Sequence, residues 1–238
     1  MSECLHLPIY QIKVHFLVGK DLEKTQGLRG SSLNNNSTNY DNLSLPDQIT
    51  KEIEMFDDII VGNFIDTYEN LVYKSLMGLE WFIQQTSSNK SNKFLMLLDD
   101  DVDLKVSELY KLIDQKVIHN QNNQEEQLLC PWKNAQRARV SRRGPWGVPI
   151  STYPSSHWPS YCGGACYLMN FQAAEKLYQS ALKIRSFDVK IEDAFMTGVL
   201  RERASFDLEP VSPICVHRVE KDSVTGRFIE DQNVRRKM

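Results

Sequence analysis

An apolar run that ends in carboxylates is the feature that most restricts the fold of this chain. Residues 93–103 read KFLMLLDDDVD, so five consecutive apolar residues lead directly into Asp99, Asp100 and Asp101, and Asp103 follows. A short continuous apolar run is typical of a strand that is covered on both faces. Neighbouring carboxylates repel one another, and burial strengthens that repulsion. The pattern therefore predicts a covered strand whose carboxyl end faces a positively charged ligand.

The segments before this strand predict a βαβ unit. Alternating apolar residues predict a first strand that ends near Gly19, and DDIIV at 57–61 predicts a short buried strand. The spacing of Asp66 and Glu69 indicates a capping box for a helix with apolar positions at Val72, Leu76, Leu79 and Ile83. Strand, helix and strand in this order predict a parallel sheet. The acidic residues would then lie at the carboxyl end of a central parallel strand, where open α/β sheets bind ligands.

The rest of the chain predicts further helices and a second acidic point. Residues 105–118 and 171–183 each carry apolar side chains at helical spacing. In DVKIEDAFMTGVL, either Glu192 or Asp193 stands where the N-cap of another helix belongs. At 238 residues the chain is long enough for one sizeable core. We therefore expect a single α/β domain.

Charge excludes one class of partner. The formal net charge is −3, which gives no electrostatic reason to expect a nucleic-acid ligand. The local exception is a group of four arginines beside Trp132 and Trp146, namely Arg137, Arg139, Arg142 and Arg143. This group is either a solvated basic loop, which is the commoner case, or a contact for an anionic ligand.

Cysteines and glycosylation sequons bear on the compartment. The five cysteines are scattered and match no zinc-binding spacing. Cys162 and Cys166 are badly placed to bridge each other within one strand, so pairs with distant cysteines are expected. Four N-x-Ser/Thr sequons favour a secretory lumen; they begin at Asn35, Asn36, Asn42 and Asn89. No stretch approaches the ~20 apolar residues of a membrane span.

Three interpretations of the acidic cluster compete. An EF-hand loop that starts at Asp99 fails because Leu104 replaces the glycine at its sixth position and Tyr110 replaces the glutamate at its twelfth. Solvated helix capping explains one aspartate better than three consecutive ones. A divalent cation that bridges a nucleotide diphosphate suits several hard oxygen ligands, and we favour it.

Four segments carry a resemblance to a known family. The segments DDIIVGNFIDTYENLVYK, KFLMLLDDDV, YPSSHWPSYCGGACYLMN and IEDAFMTGVL have the order and spacing of the β-1,3-hexosyltransferases of the Golgi. The chain resembles the β-1,3-galactosyltransferase, β-1,3-N-acetylglucosaminyltransferase and brainiac-like members over roughly residues 12–205. The resemblance implies a GT-A (Rossmann-like) α/β fold with a mixed, mainly parallel sheet and helices on both faces. It also implies a UDP-sugar donor, a Mn²⁺ (or Mg²⁺) cofactor and inversion at the anomeric carbon.

The resemblance also implies roles for individual residues. Asp101 and His217 match the metal ligands, and Asp193 matches the general base, whose ionised form the helix dipole would favour. The remaining matches lie near the donor: Asp99 and Asp100 at the ribose and diphosphate, and Gly163 and Gly164 beside the sugar. Trp146 and Trp158 either stack on sugars or pack inside the protein.

These assignments give the expected organisation of one glycosyltransferase domain over 1–238. Residues 1–118 would form the nucleotide and metal part, 130–220 the acceptor and base part, and 220–238 a charged tail. In the family, a membrane anchor and an arginine-rich nucleotide-binding segment precede the part that matches residue 12. Neither is recognisable here, so the chain is expected to be N-terminally truncated relative to type II membrane proteins that face the Golgi lumen.

The expected function is transfer of galactose or N-acetylhexosamine from a UDP-sugar to a glycoprotein or glycolipid acceptor in β-1,3 linkage. The alternative is a non-catalytic pseudo-transferase that binds glycans or a partner protein. A Mg²⁺-dependent phosphohydrolase would need a second carboxylate cluster, and only Glu192 and Asp193 are available for it.

Overall fold

The computed structural model describes residues 10–20, 45–90, 92–119, 125–184 and 189–217. Three of the four sequons, Cys4 and the charged tail at 220–238 lie outside these ranges. In the described part of the chain, no helix has both the length and the hydropathy needed to cross a bilayer.

The first half contains the strands and helices that the sequence predicts, with shifted bounds, together with one helix and one short strand that it does not predict. Its elements are β1 (Phe16–Lys20), α1 (Asp47–Phe56), β2 (Ile59–Ile65), a 3₁₀ turn (Tyr68–Asn70), α2 (Leu71–Thr86), β3 (Phe94–Leu98), β4 (Val102–Leu104) and α3 (Val106–His119). The first strand begins later than its alternating pattern suggests, because Ile12 and Val14 are 44% and 64% exposed and lie outside it. The second strand is partly exposed rather than buried.

Asp66 does not form the predicted capping box. Asn70 occupies the N-cap position of α2 without a side-chain cap. The Asp66 carboxylate instead accepts a hydrogen bond from the Gly19 backbone N–H at 2.9 Å and pairs with Lys74 at 2.6 Å. Asp66 therefore joins the end of β1 to the first turn of α2 through the Lys74 side chain, instead of capping the helix.

The second half contains short strands around one long helix. Its elements are β5 (Leu128–Cys130), β6 (Asn134–Ala135), β7 (Tyr161–Cys162), β8 (Cys166–Asn170), α4 (Phe171–Ala181), a π-helical segment (Ala194–Leu200), α5 (Arg201–Ala204), β9 (Leu208–Pro210) and β10 (Cys215–His217). The helix predicted at 171–183 is α4, and the Asn170 side chain caps it by accepting a hydrogen bond from the Ala173 N–H at 3.0 Å.

The described strands form one mixed sheet and three two-stranded sheets, which agrees with the α/β class and is compatible with a GT-A-like fold. The largest sheet has the order β3–β8–β5–β9, with β8 antiparallel to β3 and β5, and β5 parallel to β9. The strands β1 and β2 pair in parallel, whereas β4 pairs antiparallel with β10, and β6 with β7.

The prediction for β3 is wrong in two respects. This strand was expected to be a central parallel strand, but among the described strands it pairs with β8 alone and runs antiparallel to it. A continuous apolar run indicates that both faces of a strand are covered. It carries no information on the direction of the neighbouring strand.

Helices cover both faces of this sheet, as predicted. On one face, α2 and α4 pack through Leu79, Phe82 and Leu177 against Leu128 and Met169. The other face carries the residues that alternate with these along the strands, and α3 covers it through Leu109 and Ile113, next to Leu129 and Leu168. Each core therefore contains residues from both halves of the chain.

Two disulfides confirm that the cysteines pair over long distances. Cys130 bonds to Cys162, and Cys166 bonds to Cys215. The second bridge attaches β10, which is three residues long, to the buried strand β8. The position of β10 relative to the large sheet is thus covalently fixed.

Candidate active site

The three consecutive aspartates occupy the turn between β3 and β4. The Val102 N–H donates a hydrogen bond to the Asp99 carbonyl at 3.3 Å, which closes the turn. The chain changes partner here, because β3 pairs with β8 whereas β4 pairs with β10. All three residues are exposed to solvent, although the carboxyl group of Asp99 is partly buried. They are therefore available to a ligand at the end of the predicted strand.

His217 lies beside Asp101, as the predicted metal pair requires. Residue 217 is opposite Val102 in the β4–β10 pairing, and its Nδ1 is 3.6 Å from Asp101 Oδ1. The edge of the His217 ring meets Trp132, with 4.8 Å between ring centroids. The side chains of His217 and Asp101 are 47% and 67% exposed. Both remain open to an ion from solution.

Asp193 is the predicted N-cap. Its carboxylate accepts hydrogen bonds from the Ala194 N–H at 2.7 Å and from the Gly164 N–H at 3.1 Å. The helix that follows is π-helical at Ala194–Leu200, a form that is rare and is often found at functional sites. The Thr197 hydroxyl contributes to this widened turn by donating to the Asp193 carbonyl at 2.7 Å.

A two-residue turn brings the two acidic points together. Gly164 contacts the Asp193 carboxylate through its N–H, and the next residue, Ala165, accepts a hydrogen bond from the Asp99 N–H at 3.0 Å. A Cβ at Gly164 would stand 3.5 Å from Asp193 Oδ2, so the backbone packs closely on the carboxylate. Asp99 and Asp193 consequently lie near each other, although they are far apart in sequence, and their charges interact. We call the surface between them the cleft.

Gly163 packs closely on Trp132 and Lys133 rather than on Asp193. A Cβ at this position would lie 2.7 Å from Trp132 Cδ1 and 2.9 Å from the Lys133 carbonyl oxygen. The absence of a side chain is therefore explained by packing on Trp132, the residue that also contacts His217. Of the two predicted glycines, Gly164 is the one that contacts Asp193.

Glu192 has a partner set that sequence reasoning did not identify. Its Oε1 accepts hydrogen bonds from the Ser75 hydroxyl at 2.5 Å and the Tyr167 hydroxyl at 2.6 Å. Ser75 lies on the same face of α2 as the buried Val72 and Leu79, so a hydroxyl on an otherwise apolar face was the available signal. Through these bonds Glu192 connects α2, β8 and the start of the π-helical segment.

The carboxyl groups of this cleft have raised pKa values. Burial raises the pKa of Glu192 from 4.5 to about 7, against the opposing effect of its two hydroxyl donors. Partial burial, followed by the charge of Asp101, raises the pKa of Asp99 to about 6, and His217 opposes this rise. Burial also raises the pKa of Asp193, despite its backbone N–H donors. The ionised form of Asp193 is thus less favoured than the helix dipole alone suggests.

We expect Glu192→Gln to stabilise the free protein at alkaline pH. Because the pKa of Glu192 is higher in the folded state, folding binds a proton between pH 4.5 and about 7, and the free energy of unfolding falls as pH rises through this window. Glutamine keeps an oxygen that accepts from Ser75 and Tyr167. Because glutamine does not titrate, the variant does not lose this stability as the pH rises. The variant should be more stable than wild type by about 1–3 kcal/mol at pH 8.

Urea unfolding from pH 4.5 to pH 8 measures the effect, with Glu52→Gln on α1 as an exposed control. The difference between Glu192→Gln and wild type should grow with pH, and the control should show a constant difference. A pH-independent difference for Glu192→Gln would contradict the raised pKa.

The basic loop is partly explained by its internal hydrogen bonds. The guanidinium of Arg142 donates to the Val148 and Tyr153 carbonyl oxygens, both at 2.9 Å, and so shapes the loop that carries Trp146. Trp158 is only 5% exposed and stacks on Tyr153, with ring centroids 4.4 Å apart. Packing inside the protein is therefore the role of Trp158, whereas Trp146 is exposed.

The donor atoms present suit a hard divalent cation. Carboxylate oxygen and imidazole nitrogen, as offered by Asp101 and His217, are ligands that Mn²⁺ accepts in proteins. Within the described ranges, no group of three or more His, Cys, Asp or Glu side chains is arranged to hold a metal ion. Two protein ligands fit an ion whose remaining positions are filled by water and substrate phosphate oxygens.

Known proteins are similar to this chain in sequence. The sequence profile described as Galactosyltransferase matches residues 2–211. Beta-1,3-galactosyltransferase 1 of Homo sapiens is 30% identical over 166 residues, which cover 66% of this chain and 46% of that protein. Beta-1,3-galactosyltransferase 2 of Mus musculus is 27% identical over 165 residues, or 69% of this chain and 36% of that protein. The matched region thus spans less than half the length of these relatives.

Proposed function

Because the chain belongs to the galactosyltransferase family, we propose that it transfers a hexose from a UDP-sugar to a glycan acceptor in β-1,3 linkage, with inversion. The names of its relatives favour galactose as the hexose, with N-acetylhexosamine as the other candidate. One observation carries the proposal: the Gly164–Ala165 turn bonds both to the Asp193 carboxylate and to the backbone of the acidic turn. A base and an acidic ligand site therefore border the same cleft.

The acidic turn is the proposed donor side of this cleft. Asp101 and His217 would hold Mn²⁺ or Mg²⁺, and Asp99 and Asp100 would lie near the ribose and diphosphate of UDP. The raised pKa of Asp99 supports this assignment, because crowded carboxylates are stabilised by a cation. When bound, the metal would offset the negative charge that develops on the UDP leaving group.

Asp193 is the proposed general base. Direct displacement with inversion requires one carboxylate to accept the proton of the attacking acceptor hydroxyl. The N–H groups of Ala194 and Gly164 hold the Asp193 carboxylate in a fixed orientation. Burial raises its pKa, so its ionised form is a stronger base than an exposed aspartate. The backbone of Gly164 lies against one side of the carboxylate.

The proposed location is the Golgi lumen, as for type II membrane enzymes of this kind. The Cys130–Cys162 and Cys166–Cys215 disulfides support it, because such bonds persist in oxidising compartments. Glycoprotein or glycolipid acceptors are present in the same compartment. Neither nucleic acid nor a second protein is required for the chemistry proposed.

A transfer assay tests the proposal. The protein is incubated with UDP-galactose, UDP-N-acetylglucosamine or UDP-N-acetylgalactosamine and a panel of β-glycoside acceptors, with Mn²⁺ or with EDTA. We expect a β-1,3-linked product from one donor only when Mn²⁺ is present. Calorimetry of UDP with and without Mn²⁺ is the parallel measurement. Glycan binding without turnover and without metal-dependent UDP binding would instead support the pseudo-transferase.

A further inference from the structure

An exposed aromatic pair borders the candidate active site. The rings of Tyr68 and Trp146 meet edge to face, with 5.0 Å between centroids and an interplanar angle of 64°. Both residues are partly open to solvent, at 44% and 43% exposure. They come from distant segments, the 3₁₀ turn before α2 and the loop between β6 and β7. Neither residue belongs to a buried core.

Both rings are held by anchored segments. The Tyr68 turn leads directly into α2, where Ser75 donates its hydrogen bond to Glu192. The Trp146 loop is fixed by Val148, which is 1% exposed, and by the bonds from Arg142 to backbone carbonyls. The pair is therefore presented to solvent with little freedom to reorient, a state that lowers the cost of binding.

Tyr68 lies close to the carboxylates of the cleft. Burial is the largest cause that raises the pKa of Tyr68. The charges of Asp193, Glu192 and Asp99 follow, in that order. The phenol therefore lies within reach of the charges of both the proposed base and the acidic turn, and the aromatic pair adjoins the cleft where the acceptor hydroxyl would be deprotonated.

An aromatic surface next to carboxylates is suited to binding a sugar ring. One face of a hexopyranose presents C–H groups that pack on an aromatic ring, and its hydroxyl groups donate hydrogen bonds to carboxylates. We propose that Tyr68 and Trp146 form the platform on which the acceptor sugar stacks, next to Asp193. This inference rests on the proposed function, because it assigns the acceptor side of the same cleft.

The test compares Trp146→Ala with Trp146→Phe, and both with Phe56→Ala, an exposed aromatic residue on α1 that serves as the control. We expect Trp146→Ala to raise the acceptor KM about 10-fold, the loss of one ring contact of about 1.4 kcal/mol. Trp146→Phe should restore part of the affinity. Mn²⁺-dependent UDP affinity and the melting temperature should stay at wild-type values, because the Trp146 ring is exposed.

A binding measurement separates this inference from the proposed function. Saturation-transfer NMR with methyl β-galactoside and methyl β-N-acetylglucosaminide, in the presence of UDP and Mn²⁺, reports glycoside contact without turnover. Loss of that contact in Trp146→Ala supports the platform even if no transfer is found in wild type. An unchanged glycoside signal and acceptor KM in Trp146→Ala overturns the inference while the proposed function stands. A wild type that transfers sugar to acceptors but gives no glycoside signal also overturns it.

Discussion

Asp193→Asn is expected to lower kcat by about 10²–10⁴, which is the usual contribution of a positioned general base. Asp193 accepts from the Ala194 N–H and the Gly164 N–H on two different oxygens, and asparagine keeps the side-chain volume but only one of these acceptors. Loss of one of the two bonds should lower the free energy of unfolding by about 1–3 kcal/mol. UDP-sugar binding should survive, because the proposed metal and diphosphate contacts lie on the Asp99–Asp101 turn. A selective loss of turnover is the expected pattern.

The measurement combines kcat, UDP affinity and melting temperature on one preparation. Asp207→Asn is a suitable control, because it makes the same chemical change at an exposed position. If Asp193 serves only as a helix cap, turnover per folded molecule will match that of the control. A near-normal kcat in a folded Asp193→Asn protein would thus remove the base from the proposed mechanism.

Asp101→Asn is expected to lower Mn²⁺-dependent UDP affinity by about 100-fold or more, since even partners that only orient a metal ligand contribute 10–100-fold. The fold should remain intact, because the Asp101 side chain is 67% exposed. Asp101 is also the strongest charge that raises the pKa of Asp99. In the variant without metal, the pKa of Asp99 should therefore fall.

Two readouts check this prediction. Calorimetry with and without Mn²⁺ gives the UDP affinity, and carbon-detected NMR titration gives the pKa of Asp99. Asp103→Asn, in the neighbouring strand β4, is the matched control for loss of one acidic charge. Equal losses of affinity in the two variants would point to a general effect of charge and would contradict a specific ligand role for Asp101.

The sequence carries strong signals for individual residues of this site. The Asp99–Asp101 run is visible because three carboxylates after an apolar strand are costly without a ligand. Asp193 is visible because it precedes a helix of apolar residues. Neither signal reveals that the two points meet, since the contacts that join them use the N–H of Gly164 and the carbonyl of Ala165. Backbone groups are common to all residues and leave no mark on composition or periodicity.

The errors in the predicted fold have similar physical causes. The direction of β3 was predicted wrongly because its partner β8 is more than sixty residues away in the chain, beyond the reach of any local pattern. The capping box at Asp66 failed because a tertiary contact with Gly19 and Lys74 satisfied the carboxylate instead. The role of Glu192 was not predicted because its donors Ser75 and Tyr167 occupy positions that also suit a core.

The Cys166–Cys215 bridge makes the proposed metal site dependent on the oxidation history of the protein. His217 is two residues beyond Cys215 in a three-residue strand, so the bridge to β8 acts together with the β4–β10 pairing to hold the imidazole beside Asp101. A chain made in a reducing cytosol would retain all of its metal-binding side chains but lose their covalent alignment. The choice of expression host would then affect metal affinity. An inactive preparation should first be checked for reduced cysteines before it is taken as evidence against the proposed function.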